Sequence, residues 1–77
     1  MHEYNVCTCA DMEIYKKQCD AIKKKFDDFV VEDITDVDGT DISIFTKEDK
    51  KIKVFNDIAI DAVYVKSTFD LLPYFAK

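Results

Sequence analysis

The residues best suited to chemistry are two aspartates that flank one valine, in the run Asp36-Val37-Asp38-Gly39-Thr40. Two carboxylates this close in sequence could act as nucleophile and general acid, or could ligate a divalent cation. Asp-Gly between alternating segments is also a strong signal for a tight β-hairpin turn. The elements around this run therefore decide whether it is the active site of an enzyme, a metal-binding loop or a structural turn.

The same run resembles the nucleophile loop of haloacid-dehalogenase-type phosphatases, in which Asp36 would be the nucleophile and Asp38 the general acid. That resemblance implies an apolar parallel strand before the loop, a doubly wound sheet, and a lysine and a further acidic pair downstream. Here Glu32 and Asp33 interrupt the preceding strand, and only 37 of the 77 residues follow the run. We therefore interpret the run as a structural turn and expect a protein that is not an enzyme.

The run also half resembles a calcium-binding loop. Aligning Gly39 with the glycine of such a loop places Ile34 and Phe45 at the first and last ligand positions, where acidic residues belong. Only Asp36 and Asp38 then match. We expect no specific calcium site.

Zinc ligation would have to use the residues at the beginning of the chain. Cys-x-Cys is shorter than the spacing usual in structural zinc sites, and the third cysteine falls on the apolar stripe of a predicted helix. We expect no cofactor, and we keep a small cysteine-based metal-binding protein as an alternative. Its candidate ligands are His2, Cys7, Cys9 and Cys19.

Length and composition predict one domain over residues 1–77. The chain is 48% apolar, has no apolar run near the ~20 residues that span a bilayer, and begins without a signal-peptide pattern. Three cysteines, an odd number, favour a reducing compartment, so we expect a cytoplasmic protein without membrane contact. The chain has no arginine, which argues against direct binding to nucleic acid.

Apolar residues spaced by three and four predict one long amphipathic helix over about residues 9–29, beginning at a cap on Thr8. After it the period changes to two, which predicts antiparallel strands. The predicted strands are 30–37, 40–46, 52–55 and 58–66, with weaker alternation at 4–8.

The hairpin register follows from a two-residue turn at Asp38-Gly39. It pairs Asp36 with Asp41 on an acidic face and puts Ile42 and Ile44 on the core face. An odd-length loop over 47–49 would then bring the next strand into line. The predicted fold is α+β: one long N-terminal helix packed on a three- to four-stranded antiparallel meander, with a short C-terminal helix or turn.

The acidity of the chain is concentrated in one segment, since residues 27–41 contain seven acids and no base. Most charge runs are simply solvated surface, but carboxylates repeated along a strand can also imitate a phosphate backbone. We therefore expect a protein-binding module whose partner has a basic surface, with a nucleic-acid-binding protein as one candidate. The predicted partner-binding residues are Asp27, Asp28, Glu32, Asp36, Asp38 and Asp41.

In size, charge and layout the chain resembles small acidic phage proteins that block host defence or nucleic-acid enzymes, anti-CRISPR inhibitors among them. That resemblance implies an inhibitor, and no motif contributes to it. The alternative is a homo-oligomeric structural protein that assembles through the apolar C-terminal segment, so both a monomer and a homodimer stay open. The interface residues of this alternative would be Phe69, Leu72, Tyr74 and Phe75.

Overall fold

The computed structural model describes residues 2–75, and the side chain of Phe75 lies outside that description. Five strands form one sheet in the order β1-β5-β4-β3-β2, and all four strand pairs are antiparallel. Within residues 2–75, neither helix has the length and apolar character needed to cross a membrane. The elements are β1 (His2–Cys7), α1 (Met12–Lys25), β2 (Val30–Thr35), β3 (Asp41–Lys47), β4 (Lys50–Asp57), β5 (Ala62–Ser67) and α2 (Leu72–Phe75).

The α+β class is roughly right, but the prediction of one long helix on three or four strands is wrong. The sheet has five strands because β1 pairs with β5 and adds an N-terminal edge. The helix is only 14 residues long. It ends at Lys25 because Phe26 leaves the helical region, with φ −126° and ψ 57°.

The helix starts at Asp11 rather than at the predicted cap on Thr8. The carboxylate of Asp11 accepts hydrogen bonds from the backbone N–H groups of Glu13 and Ile14, which satisfies donors that the first turn leaves free. Three lysines occupy the last turn, where the helix dipole favours positive charge. The predicted apolar stripe is confirmed at its centre, because Tyr15, Cys19 and Ile22 are buried.

The core lies between α1 and the face of the sheet that we call the inner face; the opposite face is the outer face. The helix packs mainly over the middle strand β4, whose Ile52 and Val54 are fully buried. Val63 of β5 and Phe45 of β3 extend the core to either side, also without exposed surface. The helix does not cover strand β2, and all six residues of this strand are exposed.

The predicted hairpin register is wrong by one residue. Thr35 pairs with Asp41 and Ile34 with Ile42, so the loop between β2 and β3 has one residue more than the predicted turn. Of the turn residues only Gly39 has a positive φ (91°), whereas a two-residue type I′ turn would need a second one. A one-residue slip moves every side chain to the other face, so Ile42 and Ile44 lie on the outer face.

The turn between β3 and β4 also differs from the prediction by one residue, and this second difference returns β4 to its predicted faces. A two-residue connection, Glu48-Asp49, replaces the predicted odd loop, and Lys47 pairs with Lys50. Ile52 then faces Phe45 on the inner face. The last predicted strand also begins too early, because residues 58–61 form a turn and β5 starts at Ala62.

Candidate functional site

Two loops lie side by side at one end of the sheet. The backbone N–H of Ile58, in the β4–β5 loop, donates to Thr40 Oγ1 of the β2–β3 turn at 3.1 Å. A Cβ placed on Gly39 would lie 3.8 Å from Cγ1 of the same isoleucine. The start of α1 joins them, because Ala10 N–H donates to Asp61 Oδ1 at 2.8 Å. We call this end of the molecule, residues 8–13, 34–42 and 55–63, the paired-loop end.

The β2–β3 turn is held by its own backbone and by the carboxylates of Asp36 and Asp38, the first of which accepts from Val37 N–H at 2.8 Å. Gly39 N–H donates to Asp36 O at 3.0 Å, and Asp36 N–H donates to Thr40 O at 2.8 Å. The Oδ1 of Asp38 accepts from Thr40 N–H at 3.0 Å. The positive φ of Gly39 lets the chain return in register, which is the usual use of glycine in a three-residue hairpin loop.

The β4–β5 loop is organised around the carboxylate of Asp57. Its Oδ1 accepts hydrogen bonds from the backbone N–H groups of Ala59 and Ile60, and its Oδ2 accepts one of 2.7 Å from the hydroxyl of Tyr64. The hydroxyl bond, then the backbone bonds, lower the pKa of Asp57. Burial raises the pKa of Tyr64 to about 12, so the phenol stays a donor.

Charge at the paired-loop end has one sign. Its three segments contain seven acids and no lysine. Between the acids lie exposed aliphatic side chains: Val37 is fully exposed, and Ile58 and Ile60 are 47% and 65% exposed. An exposed apolar patch with a polar rim is a feature of surfaces that contact other proteins. The acids are Asp11, Glu13, Asp36, Asp38, Asp41, Asp57 and Asp61.

The predicted acidic segment is divided between the two ends of the molecule. Asp27 and Asp28 precede β2, whereas Asp36 and Asp38 follow it, about 20 Å away at the rise of a strand. Asp28 forms an ion pair with Lys47, and this hydrogen bond lowers its pKa. Residues 23–28 and 46–51 together hold six lysines and four acids, a net charge of +2. We call these residues the lysine end.

The two remaining predicted residues lie on opposite faces of the sheet. Glu32 is on the outer face opposite Ile44, and Asp41 is on the inner face opposite Thr35. The Oγ1 of Thr35 donates to Asp41 at 3.0 Å. The predicted pairing of Asp36 with Asp41 is therefore wrong, because Asp41 pairs with Thr35.

The candidate metal ligands do not converge. Cys7 Sγ lies 3.5 Å from Cys9 Sγ, while Cys19 is buried in the core, where burial raises the pKa of its thiol. His2 stacks near Tyr4 on β1. In the part of the chain that the structure describes, no three His, Cys, Asp or Glu side chains are grouped so that they could hold a metal ion.

The C-terminal segment packs against the end of α1. The rings of Phe69 and Tyr74 lie 5.8 and 5.0 Å from the ring of Phe26, and Leu71 is buried. Leu72 stays 60% exposed. The predicted contribution of Phe75 lies outside the described side chains.

Sequence reasoning missed the part of the paired-loop end that the β4–β5 loop contributes. Residues 58–61 alternate in hydropathy, which predicts a strand, but they form a turn that exposes Ile58 and Ile60. A signal was present: an aspartate whose carboxylate can accept N–H groups two and three residues later favours a turn. Asp57 makes these two bonds.

Comparison with protein-family models, with curated proteins and with solved structures finds no match to this chain. Its function is therefore inferred from the geometry. The paired-loop end combines carboxylates held by turns with exposed aliphatic side chains, and hydrogen bonds link its segments to one another. Such a surface is suited to binding a cationic, partly apolar partner.

Proposed function

We propose that this protein is a non-enzymatic binding module whose paired-loop end contacts a basic surface of a partner protein. The observation that carries the proposal is the segregation of seven acids, without a lysine, around the exposed side chains of Val37, Ile58 and Ile60. The acids would attract the partner at long range, and the aliphatic groups would supply the dry centre of the contact.

A nucleic-acid-binding protein is the partner class that we favour, and inhibition by occupying its basic groove is the corresponding activity. Proteins that bind nucleic acid present lysine and arginine to many phosphates, so their grooves fit a surface of uncompensated carboxylates. The carboxylates that would imitate phosphates are those of the two loops, where Asp36, Asp38 and Asp61 each accept a backbone N–H at Oδ1. The proposed location is the cytoplasm, where the three thiols stay reduced.

The test is a matched pair of charge-neutralised variants. The loop variant carries Asp36→Asn, Asp38→Asn and Asp61→Asn. Each asparagine keeps the side-chain oxygen that accepts a backbone N–H, so the loops should stay folded. The control variant carries Asp27→Asn, Glu48→Gln and Asp49→Asn at the lysine end. Both variants lose three negative charges.

The partner is first captured from cells of the native host with the wild-type protein, and association rates are then measured at two salt concentrations. We expect the loop variant to associate at least about tenfold more slowly at low salt, and to lose most of its salt dependence. The control variant should keep both. Equal slowing of both variants would show that only net charge matters, and an unchanged loop variant would contradict the proposal.

A second candidate function is assembly of identical copies through the C-terminal segment. It is supported by the exposure of Tyr74 (42%) and of Leu72 (60%), and Leu72 lines a shallow pocket together with the partly exposed Val6 of the edge strand β1. Sedimentation velocity of wild-type protein and of Leu72→Ser decides it. A dimer that dissociates in the variant supports assembly, and a monomeric wild-type protein contradicts it.

A further inference from the structure

Strand β2 is an edge strand that is open on both faces. It ends the strand order of the sheet, and each of its six residues is exposed. Because α1 packs over β4, a groove of about 290 Å³ is left between the helix and β2. Asp33, Asp41 and Ser43 line it from the sheet, and Tyr15 and Cys19 line it from the helix. Its charged lining also includes Asp20, Lys16 and Lys23 of the helix, so acids outnumber lysines by three to two.

The outer edge of β2 presents unpaired backbone groups. The hydrogen bond from Asp36 N–H to Thr40 O sets the alternation of the hairpin ladder, so residues 30, 32 and 34 bond to β3. The N–H and C=O groups of Val31, Asp33 and Thr35 therefore point away from the sheet. Their side chains lie on the inner face, toward the groove.

Open edges are usually protected, and the two edges of this sheet differ in that respect. Strand β1 has an irregular register between Asn5 and Cys7, which disrupts a regular template. Strand β2 pairs continuously from Val30 to Thr35 and contains no proline, lysine or bulge. The protection that this regular, β-branched edge carries is the charge of Glu32 and of the inner-face Asp33, which acts against an acidic strand and not against a basic one.

The charges on β2 indicate which strand would fit. Pairing with β2 of a second copy, in the two registers centred on the strand, would place Glu32 opposite Glu32 or Asp33 opposite Asp33. Like charges directly opposite each other destabilise a sheet. A strand with lysine or arginine at these two positions and β-branched residues around them would instead form opposite-charge pairs on both faces.

We propose that an extended, basic segment of a partner protein adds to β2 as a sixth strand, with one cationic side chain in the groove opposite Asp33 and the next on the outer face opposite Glu32. The inference rests on the proposed function, since it supplies the main-chain contact through which the partner of the paired-loop end would be held. The added strand would continue toward that end, beside Asp36. Main-chain bonds would supply affinity, and the two acids would supply selectivity.

The probe is a capped hexapeptide, threonine-valine-lysine-lysine-valine-threonine, added to ¹⁵N-labelled protein. We expect amide shift changes along residues 30–35, and exchange at least about tenfold slower for the outward amides of Val31, Asp33 and Thr35. The amides of residues 30, 32 and 34 are already bonded and should change little. The same peptide with glutamates in place of the lysines should not bind.

Backbone pairing is tested separately from side-chain contact. Val31→Pro removes one outward N–H and leaves the β2–β3 ladder intact, while Val31→Ala removes the side chain alone. We expect about tenfold weaker peptide binding for the proline variant and little change for the alanine variant. The same test can be made without a protein variant, by adding to the wild-type protein a peptide that is N-methylated at the amides facing β2. We expect this peptide not to bind.

Each contrary result overturns the sixth strand. Shift changes confined to the paired-loop end would do so and leave the proposed function standing, because the loop variant tests that function independently. Absence of any shift change, equal binding of the N-methylated peptide, or equal binding of Val31→Pro would also overturn it. If the loop variant loses partner binding and the peptide causes no amide shift changes in β2, the whole contact belongs to the paired-loop end.

Discussion

The hydroxyl of Ser43 donates a 2.6 Å hydrogen bond to Oδ1 of Asp33, and so links the edge strand β2 to its neighbour on the inner face. The same oxygen lies 2.6 Å from the hydroxyl of Tyr15. Since the single proton of Ser43 is engaged with the carboxylate, Tyr15 must be the donor to it. This chain of bonds joins the helix, β3 and β2 at the floor of the groove.

Removing the middle of this chain should destabilise the fold. Ser43 is 3% exposed, so Ser43→Ala leaves the Tyr15 hydroxyl without its partner in a largely dry place. We expect a loss of about 1–3 kcal/mol in the free energy of unfolding, measured with urea. The double variant Ser43→Ala with Tyr15→Phe has no unpaired hydroxyl donor at this position. Its loss in the free energy of unfolding should therefore be smaller than the sum of the losses of the two single variants. Additive losses would contradict the coupling.

Gly39 is required for its backbone conformation and not for space. Its φ of 91° is unfavourable for side chains, but a Cβ there would meet only Ile58 at an ordinary 3.8 Å. Gly39→Val should therefore lower the free energy of unfolding by about 1–3 kcal/mol, and Gly39→Asn by less, because asparagine tolerates positive φ. Thermal unfolding of the two variants checks this order. Equal losses of stability in the two variants would mean that packing, and not the backbone conformation of Gly39, determines the effect.

The hydrogen bonds to Asp57 make stability depend on pH at the acidic extreme. Its pKa is lower in the folded protein than the ordinary value of 3.8, so its contribution is complete above pH 3.8 and is lost as pH falls through the folded value. Tyr64→Phe removes the largest cause. In that variant, carboxyl carbon titration by NMR should show the pKa of Asp57 moving back toward 3.8. An unchanged pKa would mean that the backbone bonds of the loop are sufficient.

The three thiols should differ widely in reactivity. Cys19 is buried and burial raises its pKa, while Cys9 is exposed and its pKa is raised chiefly by the hydrogen bond with Cys7. Because the pKa values of both thiols are raised, the difference in their exposure should set the difference in their reaction rates. At pH 8 we expect iodoacetamide to modify Cys9 at least about a hundredfold faster than Cys19, which must wait for the fold to open. In concentrated urea the difference should vanish, and comparable rates in the native protein would contradict the burial of Cys19.

The helix was predictable because its signal is local and repeated. Residues that recur every three or four positions, such as Tyr15, Cys19 and Ile22, must share one face whatever the rest of the chain does. The two ends of the helix were harder to predict. Asp11 competes with Thr8 as a cap, and Phe26 continues the stripe although the backbone has already left the helix.

The sheet was harder to predict because register depends on one residue in one turn. Asp38-Gly39 fits a two-residue turn and a three-residue loop equally well, and the choice inverts the two faces of β3 relative to β2. The apolar character of Ile42 and Ile44 favoured the wrong choice, since isoleucine is expected in a core. The acids were misplaced for a related reason: closeness in sequence along an extended strand means separation in space, so Asp28 and Asp38 lie at opposite ends.

The segregation of acids to the paired-loop end and of lysines to the lysine end gives the molecule an electric dipole moment along the strands. The helix dipole runs the other way, with its positive end at Asp11, and offsets a small part of it. A cationic surface would therefore exert a torque as well as an attraction, and would turn the protein to face it within about one Debye length, ~8 Å at physiological salt. The fold would thus set the orientation of an encounter before any atoms touch.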